Sequence, residues 1–282
     1  MLRASLRMLD RVDLDEALAV CARDSVTNVF VAARLRSHGV TRSSGGELWG
    51  YYDAGSLDAL CWSGANLVPV EANPDAVEAF ASRAQRQGRQ CSSIVGPASM
   101  VMPMWTMLAG RWGRPREVRD DQPLMALNGP PMVASDPGVR AARLDEIDLV
   151  TPACVAMFTE EVGYSPVLAD GGSLYRSQVA GLVAGGRSLV RVELGPQGPE
   201  VVFKAEVGSV TPQAVQVQGV WVNPRHRGQG IAVPAMASVV EICRRQLAPI
   251  TSLYVNAFNT RAVHVYERVG FRRVGTFATV LF

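Results

Sequence analysis

The stretch Val220-Trp221-Val222-Asn223-Pro224-Arg225-His226-Arg227-Gly228-Gln229-Gly230-Ile231-Ala232 constrains this chain more than any other. An apolar run stops at Asn-Pro. An Arg-x-x-Gly-x-Gly turn follows, and a helical pattern starts directly after it. Glycine reaches backbone conformations closed to other residues and lets the main chain approach a ligand closely. A new helix opens with N–H groups that have no partner inside it, and its dipole is positive at that end. Strand, glycine turn and helix in that order therefore build an anion site of the kind that holds phosphates. Taken alone, a Gly-x-Gly turn more often just joins a strand to a helix, so the flanking sequence decides.

The chain has 282 residues, which fits two domains. It is 48% hydrophobic and 19% charged, enough apolar side chain for a sizeable core and too little charge for a disordered chain. A net charge of +2 gives no reason to expect nucleic acid. Lys204 is the only lysine, and the arginine excess reads as a compositional bias. Cys21, Cys61, Cys91, Cys154 and Cys243 are scattered and form no Cys-x-x-Cys pair, which argues against a disulfide framework or zinc site and for a reducing compartment. His38, His226 and His264 have no metal-ligand spacing, so no metal is expected. Asp10, Asp13, Asp15 and Glu16 interrupt any signal-peptide core. The apolar stretch Met100–Ala109 is well short of the roughly 18 residues of a membrane span. The expectation is a cytoplasmic protein with no membrane partner.

Asn128-Gly129-Pro130-Pro131 and Ser135-Asp136-Pro137-Gly138 punctuate the middle of the chain, and a linker is placed at 129–137 between domains 1–128 and 138–282. In the second, strands are expected at Val139–Ala142, Ser188–Leu194, Val201–Val210, Ala214–Val222, Ser252–Val255 and Arg273–Leu281. Helices are expected at Asp145–Glu161, Leu174–Ala184, Ile231–Leu247 and Thr260–Val269, on apolar spacing of three and four residues. In the first, Asp13–Leu35 reads as one long helix and Leu48–Tyr52, Ala59–Trp62 and Leu67–Val70 as serial strands. Helix Pro74–Arg86, strand Ser92–Val95 and helix Met100–Leu108 follow. That order repeats the second half. The glycine turn does not: Glu71-Ala72-Asn73-Pro74-Asp75 stands in its place.

With Arg225, Gly228 and Gly230, the turn resembles the Arg/Gln-x-x-Gly-x-Gly/Ala motif of the GCN5-related N-acetyltransferase (GNAT) superfamily. Downstream, the strand-like Leu253–Ala257, then Asn259, then Val265-Tyr266-Glu267-Arg268-Val269-Gly270-Phe271 resemble the family's second motif, an Asn and a helix ending in Tyr-Glu-x-x-Gly-Phe. The resemblance covers 138–282. It implies an α+β fold of tandem GNAT-like domains, each a mixed, mostly antiparallel sheet flanked by helices, the first degenerate. It also implies acyl transfer from acetyl-CoA to an amine acceptor, small molecule or peptide.

The same resemblance assigns residues. Pyrophosphate falls to the backbone of Arg227, Gly228, Gln229, Gly230 and Ile231, with Ala232 and Val233 opening the helix. The pantetheine arm falls to the backbone of Val220, Trp221 and Val222, with Asn259 beside it. Arg225, Arg227 and Arg261 are candidates to supply charge to the phosphates. Tyr266 is the candidate general acid, since a phenol near the sulfur can protonate a departing thiolate. Many relatives carry a base on the strand before the loop, but this chain has Gln216 and Gln218 there, and an amide cannot take a proton. Glu206 on the neighbouring strand is the nearest candidate, working through water; read by itself it is an outward-facing strand acid. Glu193 is weaker. Substrate-shaping residues are expected at 163–173. Two alternatives stand beside the enzyme: a non-catalytic acetyl-CoA sensor or docking protein, and an aminoacyl transferase of the peptidoglycan type, which lacks the glycine turn.

Overall fold

A computed structural model describes residues 4–40, 45–167 and 171–282. In chain order the elements are β1 (Ser5–Met8), α1 (Leu14–Cys21), α2 (Val29–His38), β2 (Gly46–Asp53), β3 (Ser56–Gly64), β4 (Asn66–Val70), α3 (Pro74–Gln87), β5 (Ser93–Pro97), α4 (Ala98–Trp112) and β6 (Glu117–Asn128). There follow β7 (Val139–Ala141), α5 (Ile147–Val162), α6 (Ser173–Ala184), β8 (Ser188–Gly195), β9 (Gly198–Val210) and β10 (Ala214–Val222). The last are α7 (Ala232–Gln246), β11 (Ile250–Tyr254), α8 (Thr260–Val269) and β12 (Arg272–Leu281). The class is α+β as expected, with mostly antiparallel pairing. No helix among the described residues is long and apolar enough to cross a membrane.

The chain divides into two compact units. The first is Met1–Met125 with Tyr254–Thr260 and Arg273–Phe282, and the second is Ala126–Leu253 with Arg261–Arg272. In the first, the strand order is β1-β2-β3-β4-β5-β12-β6. One layer of core joins Trp49, Phe80, Met104 and Leu108 to Ala278 and Val280 of β12. A second cluster joins Leu35 of α2 to Leu48, Leu60, Trp62 and Val70. The buried Leu, Val, Phe and Met side chains among these contribute roughly 1.5–3 kcal/mol of apolar burial each. In the second unit the order is β11-β10-β9-β8-β7. Helices α5 and α6 cover one face through Val150, Cys154, Val179 and Val183, packed with Val190 and Trp221. Both units contain one parallel β-α-β step, β4-α3-β5 and β10-α7-β11.

Three features differ from the sequence reading. The long helix Asp13–Leu35 is two helices, because Asp24 Oδ1 accepts the N–H groups of Val26 and Thr27 at 3.0 and 2.9 Å and offers the backbone a turn instead. Strand β6 was hidden by its polar first half and by Pro123. The strand Arg273–Leu281, placed by the sequence reading with the second half, counts with the first unit. It pairs antiparallel with β5 from Phe277↔Pro97 to Leu281↔Ser93. Of the segment 163–173 expected to shape substrate, residues 168–170 lie outside the described residues.

The entry to α5 carries a titratable anchor. Glu146, 6% exposed, accepts Arg140 Nη1 and Nη2 at 2.7 Å each and the N–H of Arg143 at 2.8 Å. The Arg140 hydrogen bonds, against the opposing effect of burial, hold its carboxyl down at about 2, from an ordinary 4.5. A depressed carboxyl stabilises the folded state above its unfolded value and loses that contribution as pH falls through the folded one. We expect stability to decline between about pH 4.5 and pH 2. Glu146→Gln should be less stable at pH 7 and lose that part of the decline, as read by urea unfolding across pH.

Candidate functional site

The glycine turn lies in the second unit. Asn223 opens a 3-10 turn over Pro224–His226, its side chain accepting the N–H of Arg225 at 3.1 Å. Gly228 and Gly230 then take φ of +80° and +77°. A Cβ on either would meet nothing within 4 Å, so conformation and not crowding asks for glycine. Helix α7 begins at Ala232 with no side-chain cap. Its first-turn N–H groups, Pro234 excepted, therefore have no side-chain partner, and a helix start of this kind suits an anion. Ile231 is buried and anchors the turn; Gln229 is exposed, its side chain 3.4 Å from Arg225 O. The corresponding step in the first unit is closed. Asn73 Oδ1 accepts the N–H of Ala76 at 2.9 Å, and Pro74 has no N–H to offer.

The cations of the turn already have partners. Glu200 on β9 pairs with Arg225 Nη2 and lies 2.9 Å from His226 Nε2. Glu160, near the end of α5, accepts Arg227 Nη2 at 2.6 Å and Trp221 Nε1 at 3.1 Å. Arg227 Nε donates to Val222 O at 3.0 Å. Arg225 and Arg227, expected to supply charge to phosphates, are each paired with a carboxylate and brace the turn. Arg261 is exposed on α8. Asn259 belongs to the first unit, in the turn leading into α8, its N–H on Asn256 O at 2.9 Å.

Strand β10 splays. It pairs in parallel with β11 over Ala214–Gln216 against Ile250–Ser252, then continues to Val222. On its other side Trp221 and Val222 pair with Lys204 and Phe203 of β9, after an irregularity between Gln218 and Trp221. Gly219 sits in that bulge at φ +58°. A Cβ there would lie 2.9 Å from Met157 Cε, 3.2 Å from Lys204 Nζ and 3.3 Å from Glu206 Oε2.

Glu206 does not face outward. It is 6% exposed, and its Oε1 accepts Lys204 Nζ at 2.6 Å and Cys154 Sγ at 3.4 Å. Lys204 is fully buried. Burial pushes the Cys154 thiol up to about 12, with Lys204 opposing and Glu206 adding to the rise. Tyr175 OH donates to Cys154 O at 3.0 Å. Gln216 is buried, Gln218 is exposed, and Glu193 pairs with Arg191. Tyr266 is buried on α8, its ring 5.9 Å from that of Phe271 and edge-on to it. Burial, then Glu161 of α5, pushes its phenol well above the ordinary value, so it holds its proton at neutral pH. The end of α5 thus touches the turn through Glu160 and acts on Tyr266 through Glu161. Sequence reasoning missed Glu160, Glu200, Cys154 and Gly219. Only Gly219 left a signal, a glycine breaking an alternating strand, which marks a bulge. Among the described residues no group of three or more His, Cys, Asp or Glu is placed to hold a metal.

Comparison with known proteins adds the following. Residues 187–271 match a family model described as Acetyltransferase (GNAT) family. Residues 46–150 match a domain of unknown function (DUF4081). The chain is 33% identical over 106 residues to streptothricin acetyltransferase from Streptomyces lavendulae, which covers 38% of this chain and 55% of that protein. It therefore spans about half the length of that curated relative. Among solved structures, a Drosophila protein superposes with a TM-score of 0.68 at 14% identity over 98% of both chains. A tandem GNAT protein from the clavulanic acid biosynthesis pathway superposes with a TM-score of 0.57 at 14% identity, over 99% of this chain and 98% of that one. These likenesses show the fold: tandem GNAT-like halves.

The two kinds of glycine make separable predictions. Gly219→Ala meets both a left-handed backbone and an overlap with Met157, and should lose ~2–3 kcal/mol. Gly228→Ala meets the backbone term alone and should lose ~1 kcal/mol. Urea midpoints for the two variants check the order; equal losses would mean the bulge relaxes without strain.

Proposed function

We propose, from the match of residues 187–271 to the acetyltransferase (GNAT) family model, that this protein is an acyl-CoA-dependent N-acyltransferase, with acetyl-CoA as donor and an amine as acceptor. The observation that carries the reading is the uncapped N-terminus of α7 behind two open, left-handed glycines. These residues fit a pyrophosphate. The N–H groups from Arg227 to Ile231, with Ala232 and Val233, would hold it. The backbone of Val220, Trp221 and Val222, past the end of the parallel pairing with β11, would hold the pantetheine arm. When bound, acetyl-CoA supplies the acetyl group as a thioester.

In this reading the chain moves two protons. Glu206 takes one from the acceptor amine, directly or through water, and makes it a nucleophile. Tyr266, kept protonated by its buried site, gives one to the departing sulfur. Helix α5 holds Trp221 and Arg227 through Glu160 and helps keep Tyr266 protonated through Glu161, so positioning and proton transfer share one scaffold. The acceptor is a small-molecule or peptide amine. The match to a streptothricin acetyltransferase makes a streptothricin the first acceptor to try.

A second reading, acetyl-CoA binding without transfer, draws on one observation: Arg225, Arg227 and Glu206 are all already paired. The two readings part on turnover. Calorimetric titration with acetyl-CoA should show binding by the wild type and none by Gly228→Glu, which sets a carboxylate where the pyrophosphate would lie. No wild-type binding would sink both readings. With an acceptor in hand, Tyr266→Phe should lower kcat by ~10²-fold, the lower end for a general acid, at nearly unchanged acetyl-CoA affinity. An unaltered kcat would remove Tyr266 from that role, and binding with no transfer to any amine would favour the sensor.

A further inference from the structure

Lys204 is the only lysine in a chain whose other cationic side chains, histidine aside, are arginines, and it is fully buried. A buried ammonium is costly unless paired and hydrogen-bonded. Its partner is Glu206, two residues on and therefore on the same face of β9. The carboxylate is held unevenly. Oε1 takes both Lys204 Nζ and Cys154 Sγ. Oε2 takes no hydrogen bond among the described residues and lies 3.3 Å from where a Cβ on Gly219 would stand. Ser188, directly across from Glu206 on β8, is buried with its Oγ unpartnered among the described residues. Arginine is a poor substitute: its planar fork is wider than an ammonium, and Nζ is already 3.2 Å from that same Cβ position.

We infer that Lys204 is a positioning residue, clamping Oε1 of Glu206 so that Oε2 faces the backbone bulge at Gly219. The inference rests on the acyltransferase reading, in which the donor arm runs along Val222 to Val220 and brings its reacting end to Gly219. The titratable groups around Glu206 are Lys204 on its own strand, Cys154 from α5 and Tyr175 from α6, which Glu161 also faces. Lys204 is the one cation of that set.

A single lysine makes the test direct, because ¹⁵N-lysine labelling yields one side-chain signal. A solvent-protected ammonium resonance should appear, move in Glu206→Gln, and move again in wild type when acetyl-CoA is added to calorimetric saturation. Calorimetric binding with the Lys204 signal unmoved would overturn the inference and leave the acyltransferase reading standing. Absence of calorimetric binding would sink that reading first. Rates give a second readout: Lys204→Arg and Lys204→Met should lower kcat by ~10-fold or more, with acetyl-CoA affinity within about twofold, as expected of a misplaced reacting group. In a Glu206→Gln background the Lys204 substitutions should lower kcat no further. An equal further drop there would show that Lys204 does not act through Glu206. Should Lys204→Met fail to fold beside an unpaired Glu206, Lys204→Arg and the neutral pair Lys204→Met/Glu206→Gln carry the comparison.

Discussion

The first turn of an α-helix carries N–H groups that the helix itself cannot satisfy. This chain meets that constraint twice, after β4 and after β10, and resolves it in opposite ways. Before α3, Asn73 caps the turn, Pro74 removes a donor, and Asp75 answers the dipole. Before α7 no side chain caps the turn and no acid stands in it, although Pro234 removes one first-turn donor there too. One parallel β-α-β step is therefore capped from within, and the other leaves backbone donors open. The difference explains why only the second of two halves of one topology offers a candidate anion site.

An uncapped helix start is useful only if the turn before it is rigid, and here rigidity comes from acids. Glu200 and Glu160 collect Arg225, His226, Arg227 and the Trp221 indole from two different elements. Isolated exposed pairs of this kind contribute little to stability. Several of them converging on one short turn restrict where its backbone can go, which is what a pre-organised binding loop requires. The arginines thus shape the main chain of the turn.

The second half was legible because its elements are long and periodic. Ile231–Leu247 became Ala232–Gln246 and Thr260–Val269 held at both ends. The glycine turn was legible because Gly228 and Gly230 need φ values that other residues resist. The first half was less so. Asp24 and Asn28 broke a helix through side-chain bonds that propensity cannot foresee, and β6 mixes an exposed polar start with a buried end around Pro123. At the site, Tyr266 and the loop were named from motif, whereas the surroundings of Glu206 depend on Cys154 of α5 closing on the Lys204–Glu206 pair of β9. Tertiary pairing of that sort leaves no local pattern. The lone lysine in the apolar run Val201–Val207 was its only trace.

Strand β12 fills the place between β5 and β6, yet in sequence it follows the whole span of the second unit. Loop closure over that distance must precede its pairing, which is slow compared with the local hairpins β2-β3 and β8-β9. During synthesis the first unit therefore emerges with a slot in its sheet, two strand edges unsatisfied, and waits for a segment still to be translated. A fragment cut at the apparent boundary near residue 128 would keep that slot open. The two units are separable as compact bodies but not as pieces of chain.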